Sequence, residues 1–305
     1  MVRIRLSRER TPKYKAQLEL DFHRSVEKDR NYHLGGRSFY FFDFDDNVAY
    51  LTTPILIFNK KSGHEIKLSS SEWAKNQNNI GKSGVFKDYF VDYNDEKGSF
   101  RYFRDQKFSF VDRIVRKKQT FLTDIQMALE KTDLAWKAPS WNCFYHATFN
   151  KRPTSVITAR GHNVETIQEG IALIVNQGHL PYPPNYLSIY PVSNPKVRAE
   201  ELQDPQFKYS VADLKRAAIR NSVEKAIRLY GKNPHHRFGM SDDDPKNVEL
   251  ITEELKLLKR SYPEMGFFVI QTFEDSFVKT EVLETKTTQT FKKKERQLNL
   301  FEQDL

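Results

Sequence analysis

Five short apolar runs alternate along the chain with segments in which apolar residues recur at helical spacing. The runs predict buried strands at residues 38–42, 154–157, 186–190, 237–240 and 266–270. The helical spacing predicts amphipathic helices at about residues 121–130, 164–175, 219–230 and 248–258. Because strands alternate with helices, we expect an α/β fold whose core is a three-layer, doubly wound parallel sheet.

The polar residues that follow three of these runs carry the candidate chemistry. They are Asp43, Asp45 and Asn47 after the first run, Thr158 and Arg160 after the second, and Asp242 and Asp243 after the fourth. Open α/β sheets bind their ligands beyond the carboxyl ends of the strands, so we expect these residues to lie together at one sheet edge. The alternative is that Asp and Asn end these strands only because they favour turns.

A lysine lies on the apolar stripe of a later helix. Apolar residues recur at helical spacing from Ile219 onward, and Lys215 precedes Ile219 by one turn. A lysine on a buried stripe must pair with a carboxylate or a phosphate, or else extend towards solvent. The strand-end aspartates are natural partners for it. The alternative is that Lys215 is solvated and that Lys225 or Lys232 serves instead.

The candidate residues follow one another in a fixed order: an Asp-x-Asp strand end, a threonine strand end, a lysine and an acidic strand end. This order resembles the four motifs of the haloacid dehalogenase superfamily of phosphotransferases. The resemblance covers roughly residues 37–273. It implies that Asp43 is a nucleophile that forms an aspartyl-phosphate, and that Asp45 protonates the leaving oxygen and then activates water. It also implies that Thr158 hydrogen-bonds a phosphoryl oxygen and that Lys215 offsets negative charge.

The same resemblance implies a Mg²⁺ cofactor. Asp43, the backbone carbonyl of Asp45 and one carboxylate of the later acidic run would hold the ion. The alignment leaves either Asp242 or Asp243 as that carboxylate, and we prefer Asp242 with Asp243 and Asn247 in support. Asp244 precedes Pro245, and an aspartate followed by proline is a common helix start, so we expect Asp244 to be an N-cap.

Two further residues are expected to bind the substrate. The family usually carries threonine at the position of Asn47, whose amide can still donate a hydrogen bond, and Arg160 follows the threonine strand end. The departure at Asn47 leaves open an alternative in which the chain is a catalytically weak adaptor that retains the fold. Another alternative is a phosphatase of small metabolites that closes over its substrate with an inserted cap.

The spacing of the motifs divides the chain into parts. Residues 1–36 form a basic N-terminal extension, and residues 37–278 form the core. Asp43 and Thr158 lie 115 positions apart, which is more than one crossover helix needs, so we expect an insertion at about residues 58–120. Strand-like stretches within it predict a mixed, hairpin-containing cap. The polar composition after about residue 279 predicts a flexible tail over residues 279–305.

Composition narrows the class of protein. The chain has 305 residues, a net charge of +9 at pH 7 and a single cysteine, Cys143, so a disulfide within one chain is excluded. No apolar run reaches membrane-spanning length and no secretory signal is visible, which predicts a cytoplasmic protein without a membrane partner. The basic residues are spread along the chain, so the charge gives only weak support for a nucleic-acid partner.

The tail ends in a short motif, Gln297-Leu298-Asn299-Leu300-Phe301. It resembles the peptide by which bacterial DNA-replication and repair proteins bind the sliding clamp. Its apolar side chains suit an extended peptide that fills a preformed pocket. The alternative is an amphipathic tail that folds back onto its own domain. Clamp binding would bring a phosphatase to DNA, so the expected substrate is a phosphorylated nucleic-acid end or a nucleotide.

Overall fold

The computed structural model describes residues 25–273 and 276–283, together with the backbone of residues 4–5, 19–20 and 289–294. Its strands are β1 (Ile4–Arg5), β2 (Glu19–Leu20), β3 (Ser38–Phe42), β4 (Ile55–Asn59), β5 (Glu65–Leu68), β6 (Tyr89–Phe90), β7 (Pro153–Thr158), β8 (Asn185–Pro191), β9 (Arg237–Asp242), β10 (Gly266–Phe273), β11 (Ser276–Glu281) and β12 (Gln289–Lys294). Its α-helices are α1 (Ser70–Asn76), α2 (Phe110–Ile114), α3 (Thr120–Leu129), α4 (Asp133–Trp136), α5 (Trp141–Phe149), α6 (Val164–Asn176), α7 (Pro195–Glu200), α8 (Val211–Tyr230) and α9 (Pro245–Ser261).

The central sheet is mostly parallel. Neighbouring strands in the order β10-β9-β3-β7-β8 run parallel, and β11 pairs antiparallel with β10, which gives six strands. The backbone of β12 adds an outer antiparallel strand to β11. Helices flank this sheet, so the α/β class predicted from the alternation of strands and helices is confirmed.

Both faces of the sheet are covered by helices. Phe39 and Phe41 of β3 pack into a hydrophobic cluster with α8 and α9. The alternate residues, Tyr40 and Phe42, contribute to a second cluster with α3, α5 and α6. Side chains of a strand alternate between its two faces. A strand covered on both faces must be apolar at nearly every position, which accounts for the unbroken run in the sequence.

Several predicted helix boundaries are confirmed. The helices expected at about residues 121–130 and 164–175 are α3 and α6, and Asn163 is the N-cap residue of α6. Asp244 caps α9, with its carboxylate accepting from the backbone N–H of Lys246 and Pro245 in the first turn. α8 differs from the prediction, because it begins at Val211 rather than at about residue 219. Ser210 and Asp213 form a reciprocal capping box at its start.

A small antiparallel sheet lies between β3 and β7 in the sequence. Its strand order is β5-β4-β6, and Ile57, Leu68 and Ile80 form its buried hydrophobic cluster. α1 follows β5 and starts at a capping box formed by Ser69 and Glu72. This unit falls within the predicted insertion, except that β4 already begins at Ile55.

The antiparallel end of the sheet is absent from the sequence prediction. β11 continues to Glu281, and β12 lies inside the segment expected to be a flexible tail. The side chains of β11 are all half-buried, so its sequence carries neither the unbroken apolar run nor the strict alternation that identifies a strand. The predicted clamp-binding residues Gln297 to Phe301 lie outside the described residues. None of the described helices is long and apolar enough to cross a membrane.

Candidate functional site

The register of the parallel strands brings the predicted site residues to one edge of the sheet. Phe42 of β3 pairs with Ser241 of β9 and with Val156 of β7. The backbone N–H of Asp43 continues the ladder by donating to the carbonyl of Ser241 at 3.1 Å. The carboxyl ends of β9, β3 and β7 are therefore level. This places the aspartates that follow β3 close to those that follow β9.

Three carboxylates form the centre of this edge. Oxygen atoms from Asp43, Asp242 and Asp243 lie within 4.8 Å of one another. Burial raises the pKa of Asp43 well above its usual range, and the charges of Asp242, Asp243 and Asp45 raise it further while Lys215 opposes them. Burial and the charge of Asp242 likewise raise the pKa of Asp243 to about 7. The cluster carries more negative charge than its surroundings neutralise.

Lys215 is the cation that reaches this cluster. Its Nζ lies 3.2 Å from Oδ2 of Asp43 and 3.1 Å from Oδ2 of Asp242. Burial alone would lower the pKa of Lys215, but the two carboxylates outweigh that effect and raise it. The structure thus brings Lys215 to the strand-end aspartates, as its position on the helix stripe suggested. Lys232, one of the alternatives, lies instead over the ring of Tyr262.

Asp242 is held by its own loop as well as by the lysine. Its Oδ1 accepts hydrogen bonds from the backbone N–H of Asp244 at 3.1 Å and from the side-chain amide of Asn247 at 3.2 Å. A carboxylate has about four acceptor positions. Lys215 takes a third, so Asp242 retains about one for a further ligand. Asp243 is only half-buried and faces the cleft described below.

Asp45 lies outside this cluster in a separate ion pair. Arg160 is 1% exposed and binds Asp45 through Nε at 3.0 Å and through Nη2 at 2.7 Å. The hydroxyl of Thr158 donates to Oδ2 of Asp45 at 3.1 Å and accepts from the backbone N–H of Arg160 at 3.2 Å. The structure therefore brings Asp45, Thr158 and Arg160 together. Their polar groups bind one another and do not point freely into the space at the sheet edge.

The arginine also joins residues that the sequence analysis did not identify. Its Nη2 donates to the hydroxyl of Thr53 at 2.6 Å, and Thr53 in turn donates to the carboxylate of Asp124. The guanidinium lies over the rings of Phe103 and Phe121, at 4.9 and 4.7 Å from their centroids. No local signal marks Thr53 or Asp124 because each is distant from the motifs in sequence.

Asn47 holds the loop after β3 to its neighbours. Its amide nitrogen donates to the carbonyls of Asp43 and Ser241, both at 3.1 Å, and to the Ser241 hydroxyl at 2.7 Å. Its amide oxygen accepts from the hydroxyls of Ser140 and Thr272, both at 2.9 Å. Asn47 is fully buried, and its amide fixes the position of the backbone beside Asp43. The expectation that it contacts the substrate stays a prediction.

A cleft opens beside the acidic centre. It has a volume of about 560 Å³ and is lined by Asp46, Tyr50, Pro139, Asp243, Thr272, Phe273 and Ser276. Asp46 has a positive φ of 57°, which Asp tolerates better than most residues. Burial and the charge of Asp45 raise the pKa of Asp46 to about 6. Sequence reasoning missed this cleft because its walls come from four separate segments.

His162 is a second feature that the sequence did not reveal. It is fully buried, and neither of its ring nitrogens has a hydrogen-bond partner among the described residues. Burial lowers its pKa to about 2, with the charges of Arg160 and Arg104 acting in the same direction. The imidazole is therefore neutral and fills space beside Phe121, whose ring centroid lies 5.5 Å away.

The acidic centre has the donor set that a hard divalent cation requires. Mg²⁺ prefers carboxylate and carbonyl oxygens, and Asp43, Asp242 and Asp243 supply carboxylates at suitable separations. Lys215 contacts one oxygen of Asp43, which leaves the other for a cation. Burial first, and then the charges of the neighbouring carboxylates, raise the pKa values of Asp43 and Asp243; a bound cation would offset the second of these effects. The residues present therefore fit a Mg²⁺ site.

Comparisons of the chain with protein-family models, with curated proteins and with solved structures gave no significant match. What the protein does must therefore be inferred from the geometry of the acidic centre and its surroundings.

Proposed function

We propose that the protein is a Mg²⁺-dependent phosphatase that transfers a phosphoryl group to Asp43. One observation carries the proposal: a buried lysine bridges two of three clustered carboxylates at the carboxyl end of the central parallel strand. Phosphoryl transfer requires a nucleophile and concentrated positive charge around the phosphoryl oxygens. The resemblance of the four motifs to the haloacid dehalogenase superfamily assigns the same chemistry to these residues.

The reaction would proceed in two steps. An oxygen of Asp43 attacks phosphorus, the bond between phosphorus and the leaving oxygen breaks, and the leaving oxygen takes a proton from Asp45. Water then attacks the aspartyl-phosphate, gives a proton to Asp45, and releases inorganic phosphate and the free carboxylate of Asp43. Lys215 stabilises the charge on Asp43 and on the phosphoryl oxygens during both steps.

Asp43, Asp242 and Asp243, with the backbone carbonyl of Asp45, would hold the metal. When bound, Mg²⁺ would neutralise phosphoryl charge and so lower the barrier to attack. Asp242 is already held by Asn247 and the backbone of Asp244, which fixes its orientation. Asp243 has more room to adjust because it borders the cleft.

Asp45 requires a change of partners before it can transfer a proton. In the structure it accepts hydrogen bonds from Arg160 and Thr158. Its proton-transfer role requires that the leaving oxygen take the place of one of these contacts. Once displaced, the hydroxyl of Thr158 would be available to a phosphoryl oxygen, as the motif resemblance implies. Arg160 then acts as a positioning residue for Asp45.

The finer architecture belongs to the same proposal. The arrangement of β9, β3, β7 and β8 with helices on both faces supports a doubly wound core of the haloacid dehalogenase type. The small sheet of β4, β5 and β6 follows the nucleophile loop in sequence, which is the place expected for a cap. We assign it the role of restricting access to the acidic centre.

The tail motif adds a proposed partner. Gln297, Leu298, Leu300 and Phe301 would bind a bacterial sliding clamp, which would recruit the phosphatase to DNA. Changing Leu300 and Phe301 together to Ala should abolish binding of the full chain to the clamp in a surface plasmon resonance assay. Changing Glu302 and Gln303 to Ala provides a control of equal size in the same tail. Equal binding by all three proteins would contradict the assignment.

The central experiment is phosphate release with Mg²⁺ from nucleotides, sugar phosphates and 3′- or 5′-phosphorylated oligonucleotides. We expect turnover by the wild type and none by Asp43→Asn. Asp244→Asn is the matched control, because it makes the same change of charge nearby and Asn also caps a helix. Turnover that survives in Asp43→Asn would refute the nucleophile, and no turnover of any substrate would favour the adaptor alternative.

A further inference from the structure

The cleft beside the acidic centre has walls that phosphoryl transfer itself does not require. Tyr50, Pro139 and Phe273 provide apolar surface and Ser276 provides a hydroxyl group, whereas the hydroxyl of Thr272 already donates to Asn47. A volume of about 560 Å³ is in the range of sites that bind small organic ligands. The cleft therefore has room for the part of a substrate that remains after the phosphoryl group is placed at Asp43.

One wall is fixed to the nucleophile loop. The backbone N–H of Tyr50 donates to the carbonyl of Trp136 at 2.7 Å, and the N–H of Ser140 donates to the carbonyl of Asn47 at 2.7 Å. These bonds tie residues 47–50 to residues 136–140. Backbone contacts therefore hold the two segments that carry Tyr50 and Pro139 together at the cleft.

The other wall is formed by the last residues of β10 and the first residue of β11. Gln271 pairs with Asp242 in the parallel ladder, so Phe273 extends two residues beyond the level of the metal-binding carboxylate. Phe273 pairs with Ser276 in the antiparallel ladder of β10 and β11. Phe273 is 43% exposed and lines the cleft. An exposed aromatic ring at this position is suited to contact a flat ligand group.

The charges of the lining select among ligands. Asp46 and Asp243 line the cleft, and none of the described lining residues is a lysine or an arginine. A second phosphate would therefore meet negative charge without a compensating cation. A neutral ring that bears N–H or O–H groups would instead contact the aromatic side chains and donate to Asp46 or Ser276.

We propose that this cleft binds the nucleoside part of a nucleoside monophosphate, with the base against Tyr50 and Phe273. The inference rests on the proposed function, because the phosphate at Asp43 sets the position of the nucleoside. Stacking of a base on an aromatic side chain contributes enough that its loss weakens binding by about tenfold or more. Monophosphates are preferred to diphosphates because a diphosphate would place its second phosphate near Asp46.

The test compares kcat/KM for adenosine 5′-monophosphate, ribose 5-phosphate and adenosine diphosphate. Ribose 5-phosphate has the same sugar and phosphate without the base. We expect the wild type to prefer the monophosphate to both. Phe273→Ala and Tyr50→Leu should each raise KM for adenosine monophosphate by about tenfold and leave ribose 5-phosphate unchanged. Tyr93→Ala, at an aromatic residue that is 76% exposed elsewhere, is the control.

Calorimetric titration of adenosine monophosphate into Asp43→Asn separates the inference from the proposed function. Binding that weakens about tenfold when Phe273→Ala is added supports the nucleoside site whether or not the wild type is catalytic. Asp43-dependent turnover with equal kcat/KM for adenosine monophosphate and ribose 5-phosphate would overturn the nucleoside site and leave the phosphatase in place. Absence of both turnover and adenosine monophosphate binding would overturn both.

Discussion

The most informative perturbation of the acidic centre is Asp243→Asn, measured without metal. The change removes a negative charge and keeps the shape of the side chain. Burial and the neighbouring Asp242 raise the pKa of Asp243 from 3.8 to about 7. A raised pKa means that the folded state holds the proton more tightly than the unfolded state does. The stabilisation that the bound proton gives the folded state is fully present at pH values below the pKa of the carboxyl in the unfolded state. It is lost as the pH rises through about 7.

The magnitude follows from the two pKa values. A rise from 3.8 to about 7 corresponds to about 4 kcal/mol, which is an upper limit because the carboxylate is half-buried and solvent screens part of its charge. In EDTA at pH 8 we expect Asp243→Asn to be more stable than the wild type by about 2–4 kcal/mol. At pH 4 the wild-type carboxyl is protonated in the folded state, so the two proteins should differ by less than about 1 kcal/mol.

Urea unfolding followed by circular dichroism at pH 8, 6 and 4 measures this difference. Asp244→Asn is again the matched control, and its stability relative to the wild type should not follow the same course with pH. Adding Mg²⁺ at pH 8 should stabilise the wild type by about 2.7 kcal/mol at a concentration one hundred times its Kd. The reasoning is refuted if Asp243→Asn is no more stable than the wild type at pH 8, or if the difference is the same at every pH.

Three further substitutions test the packing that supports the site. Asn47→Ala should cost about 2–4 kcal/mol in urea unfolding, because the buried hydroxyls of Ser140 and Thr272 lose the shared amide oxygen and the Ser241 carbonyl loses its amide donor. A loss below about 1 kcal/mol would contradict the network. Arg160→Met should cost about 3 kcal/mol of folding stability, since it leaves Asp45 without its ion pair. It should also lower kcat for phosphate release more than Arg160→Lys does, and equal kcat for both variants would argue against a positioning role of Arg160. Gly170→Ala should destabilise the fold by about 1–2 kcal/mol despite the better helix propensity of alanine, because the added Cβ would lie 2.3 Å from the buried ring of Phe121. Gln168→Ala on the exposed face of α6 is its control. Equal stability of the two variants would contradict the clash.

The local pattern of the chain determined the elements that carry the site. The apolar run of β3 ends at Asp43 because a strand buried on both faces needs apolar side chains until it leaves the sheet. The position of Lys215 one turn before Ile219 placed it on the inner stripe of α8, so a carboxylate partner could be expected. These conclusions depend on the period of a strand or a helix, which neighbouring residues define.

The sequence could not determine which polar groups pair across the site. Arg160 binds Asp45 from 115 positions away, and Thr272 reaches Asn47 from 225 positions away. Such contacts follow from the order and register of the strands, which set non-local neighbours and leave no periodic signal in the chain. The sequence for this reason did not reveal that Asn47 and Arg160 bind other protein groups in the structure, and their expected roles as substrate ligands stay predictions.

The sequence by itself determined the α/β class, the buried strands and the presence of acidic residues at their ends, because burial on both faces imposes a continuous apolar run. Only the tertiary structure decided that Lys215 bridges Asp43 and Asp242, that Asp45 pairs with Arg160, and that Tyr50 and Phe273 face the same cleft. The physical reason is that a local pattern records whether a residue is buried, whereas its partner depends on the register between segments that are far apart in the chain.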